Sequence, residues 1–191
     1  MYSLSVYSQD YYWFNGNRIK LEIYSTKINV TTTIELDFSS SLKEFGATEV
    51  KQIERSKNNT FLFSVDLSSS KVYNDIVNYL KSSERVVSVS PYFQRGENVN
   101  SIGTSSFFYV RLHKEDDYKL LVDFASQNAL QIIEQIPFME EWFILSTTNP
   151  KVNSVEMSNL VYESGLFADV DPAFMFNFNP NCTNDPMFNQ L

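Results

Sequence analysis

Hydrophobic positions change period several times along this chain, and the changes come twice in the same order. From Lys27 to Thr32 apolar and polar residues alternate, which predicts a strand with one buried face. Over Glu35 to Phe45 the residues Phe38, Leu42 and Phe45 fall at i, i+4 and i+7, the spacing of a helix face, and Gly46 supplies its stop. Glu49 to Arg55 and Thr60 to Leu67 predict two strands around a polar turn at 56–59. Ser70 to Ser83 predicts a helix burying Ile76, Tyr79 and Leu80, and Val86 to Phe93 a closing strand. The order is βαββαβ. Gln94 to Ser106, rich in Gly, Ser and Asn, reads as a linker. Beyond it come a strand at Phe107–Leu112, a helix at Glu115–Gln127 and strands at Leu130–Ile136 and Trp142–Thr147. A helix at Asn153–Ser164 and a strand at Phe167–Phe174 complete a second βαββαβ set.

The two sets match in register at an offset of 81 residues. Ile76, Tyr79, Leu80 and Ser83 fall on Met157, Leu160, Val161 and Ser164, while Val89, Pro91 and Phe93 fall on Val170, Pro172 and Phe174. Agreement of both a helix face and a V-x-P-x-F strand end points to a tandem repeat. Ahead of the repeats, Tyr11 to Ile23 reads as a hairpin turning at Asn15-Gly16, expected to dock on or extend the following sheet. Behind them, Met175 to Leu191 holds five Asn and two Pro, too polar to close a core. The chain thus divides into a hairpin (1–26), a first unit (27–96), a linker (97–106), a second unit (107–176) and a tail (177–191).

Both helices of a βαββαβ unit cover one side of its sheet, so alternation assigns the residues of the other side. In the first unit this outer face carries Asn29, Thr31, Leu62, Ser64, Ser88 and Ser90, a polar set expected to face water without a partner. In the second it is assigned Phe107, Tyr109, Arg111, Phe143, Leu145, Phe167, Asp169 and Asp171. So many large apolar side chains exceed what a solvated face usually holds. Two explanations stand open: the hairpin or the first unit covers the patch, or it binds another protein over roughly 800 Å² per partner.

Composition narrows the function. At 43% hydrophobic and 15% aromatic, the 191 residues suffice for packed cores. The net charge of −8 is uneven, +1 over residues 1–96 and −9 over 97–191, which argues against nucleic acid and anionic membrane as partners. No stretch approaches the roughly 20 apolar residues of a membrane span, and Met1 to Asp10 lacks the pattern of a signal peptide. One cysteine, Cys182, and one histidine, His113, leave no internal disulfide and no customary zinc site.

Catalytic motifs are equally sparse. There is no G-x-S-x-G elbow, and five Gly make no phosphate-cradling loop. Glu115, Asp116 and Asp117 open a predicted helix, where they complement its dipole rather than a metal. Sequons occur at Asn29, Asn58 and Asn181. A non-enzymatic chain without cofactor or metal is the expectation.

The residues NSVEMSNLVYESGLFADVDPAFMF of the second unit resemble the inhibitory propeptide of bacterial exported subtilisin-like serine proteases, a ferredoxin-like βαββαβ domain. Asn184-Asp185-Pro186-Met187-Phe188 resembles the segment that opens the catalytic domain of those proteases, so the resemblance spans Phe107 to Leu191 and reaches the first unit more weakly. It implies an intramolecular chaperone and inhibitor that is secreted or bound at the cell envelope, monomeric, and joined in cis to a C-terminal protease domain. By position, the outer face of the second sheet would dock on two surface helices of the protease, and Pro172 onward would enter its substrate cleft. A tandem ferredoxin-like binding or sensor module unrelated to proteolysis is the alternative.

Overall fold

The computed structural model describes residues 11–33, 39–55, 60–94, 101–149 and 151–175. A hairpin of β1 (Tyr11–Phe14) and β2 (Asn17–Lys20) leads in, and its turn places Asn15 and Gly16 at φ of 48° and 75°, the two left-handed positions that Asn-Gly favours. The first unit follows as β3 (Glu22–Thr32), α1 (Ser39–Glu44), β4 (Ala47–Arg55), β5 (Phe61–Leu67), α2 (Tyr73–Lys81) and β6 (Val86–Gln94). The second comprises β7 (Ser101–Arg111), α3 (Tyr118–Gln127), β8 (Leu130–Gln135), β9 (Trp142–Thr147), α4 (Ser154–Glu163) and β10 (Asp169–Met175). The strands stand in the orders β6-β3-β5-β4 and β10-β7-β9-β8, antiparallel throughout. The fold is α+β, two tandem ferredoxin-like units preceded by a β-hairpin.

Each unit has its own core between sheet and helices. Ile28 and Val30 of β3 meet Leu42, Ile76 and Leu80 in the first; Phe108, Val110 and Leu112 of β7 meet Leu121, Met157 and Val161 in the second. Full burial of each such side chain is worth about 1.5–3 kcal/mol. Helix α4 starts on a capping box, Asn153 Oδ1 accepting from the backbone of Val155 and Glu156 while Glu156 accepts from Asn153 N–H.

Residues 101–106, expected as linker, are instead the first half of β7. Its residues Ser101–Gly103 pair with Gln94–Tyr92 on the edge of β6, so the two units share one eight-stranded sheet. At Gly103 the backbone lies against the first unit: an added Cβ would come within 3.0 Å of Asn29 Nδ2 and of the Tyr92 ring. The glycine is there for close approach rather than for flexibility. Beyond it β7 is held to the first sheet by Asn29 Nδ2 donating to Thr104 O (3.0 Å), Thr104 Oγ1 to Pro91 O (2.9 Å) and Ser90 Oγ to Ser105 O (3.2 Å).

The polar outer face of the first unit is therefore not solvated. Asn29 and Ser90 are 1% exposed, Ser88 0%, Ser64 5% and Thr31 6%. The burial of Asn29 also takes its sequon out of reach; those at Asn58 and Asn181, like Phe38 and the tail 177–191, fall outside the described residues.

The hairpin does not extend the first sheet; it docks on α4. Glu163 accepts hydrogen bonds from Tyr11 OH (2.7 Å) and Trp13 Nε1 (3.0 Å), with the Arg18 guanidinium 3.6 Å away. Trp13 stacks on Tyr162 at 5.0 Å, and Asn159 Nδ2 donates to Tyr11 O. Helix α4 is thus buried on two sides, its Val155 packing with Leu21 and Phe93 in a small third core.

Candidate protein-binding surface

Strands β7, β9 and β10 build the outer face of the second sheet, and their register fixes which side chains share it. Arg111 stands between Trp142 of β9 and Asp169 of β10; Tyr109 stands between Ile144 and Asp171; Phe107 is opposite Ser146. All of these except Ser146 are half-buried. Trp142, Ile144 and Tyr109 give the face an apolar half, and the two aspartates make its β10 side acidic. Phe107 lies at the seam, where with Thr31, Leu62 and Met175 it lines a cavity of about 100 Å³. The first unit therefore meets the face at the Phe107 corner.

Electrostatics hold the acidic side in place. Arg111 Nη2 lies 3.7 Å from Asp169 Oδ2, and its guanidinium sits 5.7 Å from the Trp142 ring centre. Arg111 Nε is buried without a hydrogen-bond partner among the described residues. Burial, then the neighbouring Asp169 charge, raises the Asp171 carboxyl above the usual range, and Arg111 opposes the shift.

Phe107, Tyr109, Arg111, Asp169 and Asp171 stand on the expected face. Phe143 and Leu145 do not: they pair with Val110 and Phe108 and pack in the helix-side core. Phe167 precedes β10 and meets Phe124 edge-on at 5.4 Å in the same core, and Pro172, paired with Phe108, is buried on that side. A strand's faces alternate with period two, so one residue of phase error exchanges them. Trp-Phe-Ile-Leu is apolar throughout and offers no phase of its own. Trp142 and Ile144 were missed for that reason; their pairing with Arg111 and Tyr109 is the signal that finds them. Pro172 does not begin an unpaired segment: β10 runs on through Phe174 and Met175, which pair with Thr104 and Gly103.

A second concavity, about 180 Å³, lies between α2 and the start of α4, lined by Tyr73, Val77, Lys81, Phe93, Asn153 and Glu156. Burial pushes the Tyr73 phenol up to about 12 and, as the largest cause, raises the Glu156 carboxyl. His113 is exposed beyond β7. No group of three or more His, Cys, Asp or Glu among the described residues could hold a metal, and no helix among them is long and apolar enough to cross a membrane.

Comparison with known proteins adds the following. No family model matches the chain, and no curated protein matches it. Among solved structures it is similar to the acetolactate synthase small subunit from Thermotoga maritima, at 11% identity over 81% of this chain and 98% of that one, with a TM-score of 0.33.

Proposed function

We propose that the chain is a non-catalytic prodomain region that chaperones and inhibits a subtilisin-like serine protease, the second unit docking through its outer face. One observation supports this best: the half-buried Tyr109, Trp142 and Ile144 lie together on a sheet face that carries two aspartates along one side. Docking on the native protease stabilises it relative to its unfolded chain, which is the chaperone effect. Chain following Met175 then lies in the substrate cleft and inhibits by binding in a form that is not productively cut. Secretion or attachment at the cell envelope, a monomeric state and a protease domain in cis belong to the same proposal.

The test is inhibition in trans of the subtilisin-like catalytic domain that this function places C-terminal to the chain. Slowed peptide hydrolysis at about micromolar chain is the expected outcome; a gene encoding no such domain, or no inhibition by the chain, removes the function. The cleft between α2 and α4 favours the second possibility, a small-molecule sensor, which predicts a ligand-dependent rise in Tm without any protease.

A further inference from the structure

The hairpin joining β8 to β9 turns at Ile136-Pro137-Phe138-Met139, and four hydrogen bonds tie this turn. Met139 N–H donates to Ile136 O (3.1 Å), Trp142 N–H to Met139 O (2.9 Å), Ile136 N–H to Trp142 O (2.9 Å) and Gln135 Nε2 to Glu140 O (2.6 Å). Pro137 occupies the second turn position, where its fixed φ fits, and Phe138 the third, at φ of 64°. A left-handed third position is the usual place of Gly or Asn; a bulky residue there is an outlier. Phe138 is also wholly exposed, at 103%, and Met139 is 47% exposed. In the free chain the Phe138 ring gains no burial to offset the strained backbone conformation in which the turn holds it.

The surroundings indicate what would. Glu140 and Glu141 follow the tip directly, and the exposed Glu115 lies beside them with Asp116, its carboxyl raised above the usual range first of all by the neighbouring Glu140 carboxyl. The bond from Trp142 N–H fixes the tip relative to the first residue of β9 on the docking face. We propose that Phe138 and Met139 form an anchor that enters an apolar pocket rimmed by Lys or Arg on the protease, a contact additional to the sheet face. Exposed, preorganised aromatics that fill a pocket are the typical hot spots of protein interfaces, and the acidic collar steers the approach. This inference rests on the proposed protease partner.

The experiment compares the full chain with its Phe138→Gly variant for Tm and for inhibition of the subtilisin-like domain. Relief of the left-handed strain raises Tm of the free variant, while loss of the anchor weakens inhibition by about tenfold or more. Glu140→Lys with Glu141→Lys lowers the association rate several-fold, and the wild-type rate falls as salt rises. Inhibition by Phe138→Gly equal to wild type overturns the anchor and leaves the prodomain function standing. A wild-type chain that does not inhibit removes both.

Discussion

The outer faces of the two sheets occupy equivalent places in equivalent units and have opposite fates. In the first, Leu62, Thr31 and Ser88 form one cross-strand row and Ser64, Asn29 and Ser90 the next. In the second, the corresponding rows are Trp142, Arg111, Asp169 and Ile144, Tyr109, Asp171. The serine-rich face is buried and the aromatic face is the more open one. Polarity therefore does not decide which face a unit covers; the path of β7, pinned at Gly103, does. Burial leaves Asn29 Oδ1, Ser64 Oγ and Ser88 Oγ without hydrogen-bond partners among the described residues, at about 1–3 kcal/mol for each such group.

The largest effect is expected where the faces of β9 are told apart. Leu145→Asp puts a charge into the helix-side core and should cost about 4 kcal/mol or more in urea unfolding, whereas Ile144→Asp, one residue along, should cost about 1 kcal/mol or less. Equal costs would contradict the assigned phase, and a larger cost at Ile144 would reverse it. Next is the seam: Gly103→Val meets Asn29 and Tyr92 at 3.0 Å and should destabilise by about 1–3 kcal/mol, measured the same way. A neutral result would mean that β7 does not lie against the first sheet.

A smaller effect concerns Glu156 at the α4 cap, whose carboxyl is raised mainly by burial. A raised acid contributes stability that is full below its unfolded pKa and is lost as pH rises through its folded one. Glu156→Gln keeps a capping acceptor and abolishes that loss. Its Tm relative to wild type should therefore be higher at about pH 7 than at about pH 4; a difference independent of pH would place Glu156 in solvent. Smallest is the pair Ser64→Ala and Ser88→Ala. Removing unpartnered hydroxyls should be neutral or stabilising by about 1 kcal/mol or less, and a clear loss in either would reveal a partner for that hydroxyl.

Much of this was legible in the chain. The strand periods, the Asn15-Gly16 turn and the tandem order survive, and the helix faces survive in part: Leu42, Ile76 and Leu80 are buried as their spacing predicts, whereas Tyr79 and Phe45, stacked on each other at 4.5 Å, are exposed. Register was legible in part. The offset of 81 that aligns Ser88 and Ser90 with Asp169 and Asp171 holds for the last strand, but Thr31 and Leu62 align with Arg111 and Trp142 at an offset of 80. At the third strand the run Trp142-Phe143-Ile144-Leu145 is apolar on both faces, so alternation there could not tell the outward Trp142 and Ile144 from the inward Phe143 and Leu145. The seam was not legible at all: Ser, Gly and Thr between 101 and 106 have linker composition, and long-range pairing of Ser101–Gly103 with β6 and of Gly103 and Thr104 with β10 makes this stretch a strand. The docking of the hairpin on Glu163 of α4, 150 residues away, is likewise a tertiary fact with no local signature.

The outer face of the second unit as a protease-docking surface is tested most directly by one inhibition titration. Wild-type chain and a Tyr109→Glu, Ile144→Glu double variant, each checked for an unchanged Tm, are titrated against the subtilisin-like catalytic domain. Inhibition by wild type at about micromolar concentration, weakened by about tenfold or more in the double variant, is the predicted result. Equal inhibition by a folded double variant would contradict it.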